Sequence, residues 1–294
     1  MAKLRTNYQK GASGGMIARV GIFAAILSGL VFLFNRFSGN TTQPADNPKE
    51  DVSTPNFDFL PAAGAGQVLY NPYFALAYNE EHEQAEWVAY KLVGAQLEQP
   101  WVDRSDNFLP DPQVKSKSAT PYDYKNSGYD RGHLVPAADM AFSEDAMQYT
   151  FLMSNISPQS KNFNKGIWRE LEELVRTWAK QNTELYVVTG PVLTQQPKGA
   201  IGENGVSIPT AFYKVLLDMT EPQLKGIGFV IPNEVSYDPL YKFAVSIDEV
   251  EELTQIDFFP DWEAAATLEK AFNLDLWEFS KKKYELRTQK WNKE

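Results

Sequence analysis

The distribution of apolar residues divides the chain into a short terminal run and a long mixed body. Residues 20–34 read "VGIFAAILSGLVFLF" and contain no charge, whereas residues 39–55 are polar, contain proline and show no apolar periodicity. From Asn56 onward, apolar residues recur at the spacings of amphipathic helices and strands. The pattern therefore predicts a terminal apolar segment, a polar linker over residues 37–55, and a folded body that begins near Asn56.

Short runs rich in β-branched and aromatic residues predict four strands in the body. They lie at residues 87–92, 185–192, 212–219 and 226–232. A period of 3.6 residues predicts four helices. They lie at residues 143–153, 166–181, 247–253 and 262–272. Strands and helices are interspersed without a regular β-α-β alternation, so the order predicts an α+β domain.

The helix predicted at residues 166–181 has a clear apolar face. With Asn164 at 0° and steps of about 100° per residue, seven apolar side chains fall within one stripe that is expected to face the core. They are Ile167, Trp168, Leu171, Leu174, Val175, Trp178 and Ala179. Glu170 and Glu173 fall on the predicted solvent side, at about 240° and 180°. Glu172 falls at about 80°, on the border of the stripe, where a partly desolvated carboxylate needs a partner.

The residues alone leave the roles of two of these side chains open. The amide of Asn164 would either cap the helix or bind a hard cation. Glu172 has an ordinary explanation as well, because it stands at helical spacing from Arg169 and Arg176 and would form an ion pair with either of them.

Composition limits the chemistry to which the chain has access. There is no cysteine, so disulfides, thiolate metal sites and cysteine nucleophiles are excluded. Of the two histidines, His82 lies in the charged run "YNEEHEQAE" and receives no role. His133 follows Gly132 in "YDRGHLVPAADM". A neutral imidazole there would serve as a general base that activates water, and a histidine needed only by a turn is the alternative.

Charge is distributed unevenly along the chain. The net charge is −10, yet the first 36 residues carry five positive charges and no acid. Residues 37–294 therefore hold 38 acids against 23 bases. Such an acidic body argues against tight, purely electrostatic binding of nucleic acid, and leaves a local basic cleft or a metal-assisted site open. Residues 281–294 are basic and are expected to be a solvated tail.

The first 36 residues have the layout of a membrane anchor. The apolar run spans roughly 22 Å as a helix, and extension over residues 16–36 brings it to the thickness of a bilayer core. A secretory signal has the same layout, but "NRFSGN" offers no small-x-small cleavage pattern. The preceding positive charge predicts a cytoplasmic N-terminus and a body on the periplasmic or outer face. Secretion after signal cleavage is the alternative.

Three motifs, in order, resemble the DNA/RNA non-specific endonucleases of the ββα-metal (His-Me finger) class, the family that includes endonuclease G. Residues 130–133 match its Asp-Arg-Gly-His motif, and residues 154–159 match Ser-Asn-(Ile/Val)-x-Pro-Gln. An Asn-x-x-x-Trp-x-x-Leu-Glu element matches Asn164, Trp168, Leu171 and Glu172. Short stretches at Glu86, Val187 and Ile247 are similar to the family's early strand, central strand and C-terminal segment.

The resemblance implies a fold and an activity. The fold would be a ββα-metal nuclease with a central, mostly antiparallel sheet flanked by helices, over residues 56–280, between the membrane helix and the basic tail. The activity would be Mg²⁺-dependent, sequence-non-specific hydrolysis of phosphodiester bonds in DNA, RNA or both, with Mn²⁺ as a substitute. Some members of the family dimerise, so the resemblance also allows a homodimer.

The resemblance also implies a role for each matched residue. His133 would take a proton from the attacking water, and Asn155 would orient the His133 ring. Asn164 would be the only protein ligand of one Mg²⁺, and Glu172 would hold a water bound to that metal.

Two arginines would act on the phosphate. Arg104, in "WVDRSDNF", aligns with a family arginine that stabilises charge there. Arg131 would serve the same purpose or pair with Asp130. Two other functions stay open at this point: a catalytically silent nucleic-acid-binding protein on the same fold, and a phosphodiesterase that acts on small substrates.

Overall fold

The computed structural model describes residues 57–292 except residues 63 and 65. The predicted basic segment and membrane segment, and the linker after them, lie outside the described residues. Within the part that is described, no helix has the length and apolar character needed to cross a membrane.

The strands and helices are named here in chain order. The strands are β1 (Gln67–Tyr70), β2 (Ala75–Asn79), β3 (Gln84–Val93), β4 (Asp130–His133), β5 (Ile156–Gln159), β6 (Glu184–Pro191), β7 (Ala200–Ile201), β8 (Val206–Ser207), β9 (Ala211–Asp218), β10 (Lys225–Pro232) and β11 (Ala244–Val245). The α-helices are α1 (Gly94–Leu97), α2 (Glu144–Tyr149), α3 (Arg169–Gln181), α4 (Ile247–Thr254), α5 (Ala265–Leu268) and α6 (Lys281–Leu286). Shorter helical turns lie at Ala137–Asp139, Met153–Asn155, Phe163–Trp168, Leu240–Phe243, Leu274–Leu276 and Arg287–Trp291.

A central antiparallel sheet organises the fold, as the resemblance implies. Its strand order in the described residues is β1-β2-β3-β6-β9-β10-β11. The four predicted strands are confirmed as β3, β6, β9 and β10. They are apolar almost throughout because both faces of the sheet are covered: Val88 and Tyr90 join one core cluster, whereas Trp87 and Ala89 join the other.

Helices pack on both faces of this sheet. The apolar stripe of α3 is buried as predicted, and it packs against Tyr90, Val187 and Phe212 in one core cluster. On the opposite face, Ile247 and Val250 of α4 pack into the second cluster. The sheet is therefore the middle layer of three, and the site described below lies on the α3 side.

Three of the four predicted helices have different boundaries in the structure. The predicted 166–181 helix is α3 preceded by a kinked turn, because Gly166 has non-helical angles of φ −99° and ψ −110°. A side chain at Gly166 would collide with Asn292. Asn164 is therefore out of phase with α3, and the angular relation predicted between Asn164 and Glu172 is wrong. The 247–253 helix is confirmed, whereas those at 143–153 and 262–272 shorten to α2 and α5.

The C-terminal segment is packed and not a solvated tail. Residues Lys281–Leu286 and Arg287–Trp291 are helical, and the Arg287 side chain is fully buried. Its Nε donates to Glu170 Oε2 at 2.6 Å, and its guanidinium also donates to the carbonyls of Ser236 and Asp238. This contact buries Glu170, so the solvent-side position predicted for Glu170 is wrong.

We predict that Arg287→Met lowers the free energy of unfolding by about 3–5 kcal/mol, because Glu170 would then be buried without a cationic partner. Urea denaturation followed by circular dichroism measures the loss. Lys281→Ala, at a largely exposed lysine of the same segment, is the matched control and should change stability by less than about 0.5 kcal/mol. Equal effects of the two substitutions would contradict the assigned contact.

Candidate active site

A two-stranded ladder positions His133. In it, β4 pairs with β5 in antiparallel register, with His133 opposite Ile156 and Gly132 opposite Ser157. The kinked turn and α3 follow along the chain and complete a β-β-α order. Each of these strands has only four residues. They contain a glycine or a proline, so propensity did not predict them as strands.

Gly132 is required by close packing in this ladder. A side chain at this position would collide with the side chain of Gln159, which is fully buried. A position without a side chain lets another group approach the backbone closely. The structure shows that the approaching group is Gln159, from the partner strand of the ladder.

His133 is buried without a hydrogen bond at one ring nitrogen. The side chain is 8% exposed and packs against the rings of Phe108 and Phe151, with centroids 5.5 and 4.8 Å away. Its Nε2 has no hydrogen-bond partner among the described residues. Burial, reinforced by the charges of Arg104 and Arg131, lowers the pKa of His133 from 6.5 to about 3. The imidazole is therefore neutral at neutral pH, and its Nε2 is not used by any hydrogen bond within the described residues.

Asn155 fixes the chain just beyond His133. Its amide nitrogen donates to the carbonyls of Val135 and Thr150 at 3.1 and 2.9 Å, and its oxygen accepts from the Val135 N–H at 2.9 Å. These bonds all go to backbone groups. The implied role of orienting the imidazole ring is therefore corrected: Asn155 acts on the backbone two residues after His133.

Asp130 orients the amide of Asn164. The Nδ2 of Asn164 donates to Asp130 Oδ2 at 3.1 Å. A carboxylate only accepts hydrogen bonds, so it selects the amide nitrogen and leaves the amide oxygen of Asn164 for another partner. The capping interpretation is wrong, because Asn162 occupies the N-cap and no side chain caps this turn.

An open cleft lies over these residues. We call the cavity of about 670 Å³ lined by Arg104, Arg131 and Asn164 the arginine cleft. Its lining carries four cations against two carboxylates, namely Arg104, Lys125, Arg131 and Lys165 against Asp106 and Asp130. The acidic body therefore presents a locally basic surface beside His133, which the net charge alone did not reveal.

The guanidinium groups of Arg104 and Arg131 each lie over an aromatic ring. The Arg131 guanidinium carbon lies 4.0 Å from the Phe108 ring centroid, and that of Arg104 lies 5.1 Å from the Phe151 centroid. Arg131 forms no ion pair with Asp130 within the described part of the chain, so the alternative of a structural pair is not supported. The same two rings that enclose His133 thus position the two arginines.

Glu172 lines a neighbouring cavity of about 560 Å³, which we call the glutamate cleft. The predicted ion pairs are absent there: Arg169 pairs with Glu173 at 3.1 Å and Arg176 with Asp139 at 2.8 Å. Burial raises the pKa of Glu172 to about 7, with Asp139 adding to the rise and Lys214, Arg176 and Arg104 opposing it. This carboxylate is therefore only partly ionised near neutral pH and is ready to gain a cationic partner.

A buried polar network behind Glu172 was missed by the sequence analysis. Asp139 accepts hydrogen bonds from the Tyr90 hydroxyl at 2.7 Å and from Arg176 at 2.8 Å. Lys214 is 1% exposed, with its Nζ 5.0 Å from the Trp168 ring centroid. A lysine inside the apolar strand "AFYKVLLD" is the signal that would have pointed to it.

The donor set at this site fits one hard cation that keeps most of its water. The described residues contain no group of three or more His, Asp or Glu side chains able to enclose a metal. The amide oxygen of Asn164 is a hard neutral donor that lines an open cleft. Mg²⁺ commonly binds with few protein ligands and several waters, so it is the cation that this arrangement suits.

Comparison with known proteins agrees with this geometry. Residues 57–265 match the family model of the DNA/RNA non-specific endonucleases. The mitochondrial nuclease EXOG of Homo sapiens is 31% identical over 277 residues, covering 88% of this chain and 74% of that protein. Mitochondrial endonuclease G of Homo sapiens is 33% identical over 221 residues, covering 71% and 74%. A crystal structure of the EndoG/EndoGI complex aligns with a TM-score of 0.64 at 30% identity, covering 68% of this chain and 89% of that one.

We predict that Gly132→Ala lowers the free energy of unfolding by about 1–3 kcal/mol, because the new methyl group overpacks the buried Gln159 side chain. Adding Gln159→Ala to the same protein should recover most of that loss, since it empties the space. Denaturant titrations of both single variants and the double variant measure the recovery. A loss that is additive in the double variant would show that Gln159 is not the group that excludes a side chain.

Proposed function

Because this chain belongs to the DNA/RNA non-specific endonuclease family, we propose that it hydrolyses phosphodiester bonds of DNA, RNA or both, with His133 as the general base and one Mg²⁺ held by Asn164. The observation that carries the proposal is the buried, neutral imidazole of His133: its Nε2 has no hydrogen-bond partner in the described residues, and burial and the charges of two cleft arginines lower its pKa. Relatives named as nucleases favour this reading over a silent binding protein.

His133 moves the proton in this mechanism. Its free nitrogen takes a proton from a water whose oxygen attacks the phosphorus, and the bond to the leaving oxygen breaks. In the unliganded protein, burial and, in addition, the charges of the two arginines lower the pKa of His133. A bound phosphate offsets their charge, so substrate binding raises the pKa of the base toward the range in which it accepts protons effectively.

The arginines and the amide hold the phosphate and the cation. Arg104 and Arg131 line the cleft as donors for the non-bridging oxygens, on which charge grows during attack. Asn164 would hold Mg²⁺ through its oxygen, which Asp130 leaves free, and Glu172 would accept a hydrogen bond from a water of the ion. When bound, Mg²⁺ or Mn²⁺ supplies positive charge that stabilises the phosphate and the leaving oxygen.

The most direct test compares the two histidines. We predict that His133→Ala lowers kcat for Mg²⁺-dependent plasmid cleavage by about 10²–10⁴-fold, because the general base is lost. His82→Ala is the matched control and should cleave at the wild-type rate, because the His82 ring is hydrogen-bonded to Ser207 and has no role in the proposed mechanism. EDTA should abolish cleavage by the wild-type protein.

Three outcomes of this assay would contradict the proposal. Full plasmid cleavage by His133→Ala would remove the assigned base. Cleavage that persists in EDTA would remove the metal. Hydrolysis of a small diester, without cleavage of plasmid or RNA, would identify a phosphodiesterase for small substrates.

A second prediction follows from the raised pKa of Glu172, about 7. The carboxylate form increases as the pH rises through 7, and only that form accepts the hydrogen bond from a metal-bound water. Apparent Mg²⁺ affinity should therefore increase between pH 6 and pH 8, by up to roughly tenfold. Calorimetric titration of Mg²⁺ at the two pH values measures this. Glu172→Gln should bind more weakly at pH 8 and lose the dependence; an unchanged dependence in this variant would contradict the role.

The location and assembly of the nuclease are proposed from the sequence alone. We propose that residues 16–36 anchor the chain with the nuclease on the extracytoplasmic face, on the basis of the apolar run and the positive charge before it. Recovery of the whole chain in the membrane fraction supports this, whereas a free protein trimmed near residue 38 favours the secreted alternative. A homodimer stays a prediction from the family resemblance, which sedimentation of the protein tests.

A further inference from the structure

Two exposed aromatic side chains lie in the two clefts that hold the site residues. Tyr122 is 81% exposed and lines the arginine cleft, whereas Trp101 is 59% exposed and lines the glutamate cleft. Tyr122 is the most exposed of the large hydrophobic side chains in the described residues. Both rings are thus accessible to a ligand that occupies the clefts.

The turn that carries Tyr122 is held in place by the next residue. The carboxylate of Asp123 accepts hydrogen bonds from the backbone N–H and hydroxyl of Thr120, at 2.7 and 2.9 Å. It also accepts from the backbone N–H and side-chain amide of Asn204, at 3.1 and 2.8 Å. Tyr122 is thus exposed on a fixed turn, so stacking of a ligand requires ordering of its side chain but not of the backbone that carries it.

Residues that follow Trp101 in the chain contact the residues around His133. The N–H of Val102 donates to the carbonyl of Ala141 at 2.8 Å, and Arg104 leans on the Phe151 ring beside His133. The charge of Arg104 influences both His133 and Glu172. Arg104 lines the arginine cleft, and each of the two clefts offers one exposed ring to a ligand.

The charges that line the two clefts favour binding of a polyanion. The glutamate cleft carries four cations against two carboxylates, namely Arg169, Arg176, Lys180 and Lys283 against Glu172 and Glu173. The arginine cleft has the same excess. A third cavity on the other side of Tyr122 has Lys125 against Asp123 and Glu203, so it is not favourable for phosphates. The excess of cations is therefore found in the two clefts that contain Tyr122 and Trp101.

We propose that Tyr122 and Trp101 are stacking platforms for the bases of a single-stranded nucleic acid, and that they make single strands the preferred substrate. This inference rests on the proposed nuclease function. The phosphates bind to the cations of the clefts while unpaired bases stack on the two rings. Any base can stack in this way, because each has a π face. A duplex keeps its bases stacked inside, so it gains nothing from either ring.

Binding without cleavage tests the inference apart from catalysis. Fluorescence anisotropy in EDTA gives Kd for a labelled single-stranded DNA, a single-stranded RNA and a hairpin duplex of the same sequence. Tyr122→Ala and Trp101→Ala should each raise Kd for both single strands by roughly 5- to 150-fold, the range for loss of one base–aromatic stack. Kd for the duplex should change by less than about twofold. Tyr122→Phe and Trp101→Phe should bind single strands almost as wild type, because the ring is retained.

Tyr237→Ala is the matched control, since Tyr237 is 60% exposed and lines neither cleft. It should leave all three Kd values unchanged, and thermal melts should show that every variant is folded. Unchanged single-strand binding in the two alanine variants, or equal weakening for single strands and duplex, would overturn the inference. Intact single-strand selectivity in a protein that cleaves nothing with Mg²⁺ would overturn the proposed function and leave the binding inference supported.

Discussion

The burial of a neutral imidazole, whose pKa two arginines lower further, is the constraint on which the rest of the site depends. His133 has a nitrogen without a hydrogen bond only because Phe108 and Phe151 enclose the ring and because its strand is held rigidly. The strand is held by the ladder with β5 and by the bonds of Asn155 to the following backbone. Burial and the arginine charges together keep the pKa of the ring low, and a phosphate would relieve part of that effect.

The sign of the charge differs between the chain as a whole and the two clefts. The chain as a whole is acidic, yet both clefts beside the site carry more cations than carboxylates. The glutamate cleft also holds Glu172, whose helical neighbours Arg169 and Arg176 pair with Glu173 and Asp139, while the buried Lys214 opposes the rise in its pKa. The result is a basic surface for a polyanion together with a carboxylate free to hold the water of a cation, which is the combination that phosphodiester hydrolysis requires.

Local pattern predicted what depends on local sequence, and failed where distant segments meet. The strands β3, β6, β9 and β10 and the buried stripe of α3 follow from residue type and periodicity. The burial of Glu170 depends on Arg287, which is 117 residues away, and the space beside Gly166 is occupied by Asn292. A helical wheel drawn from Asn164 shows neither of these long-range contacts. The motif residues were found by type and spacing, but their hydrogen-bond partners, such as Asp130 for Asn164, required coordinates.

The pKa of His133 in the unliganded protein tests the central claim most directly. Chemical shifts of the ¹⁵N- or ¹³C-labelled imidazoles across pH 3–8 would follow its protonation, with His133→Ala used to assign the signals. The account predicts that His133 stays neutral down to at least about pH 5, well below the usual histidine pKa of about 6.5. It also predicts that the pKa rises when Arg104 or Arg131 is replaced by methionine. A His133 that titrates near pH 6.5 and is unaffected by either substitution would contradict the account.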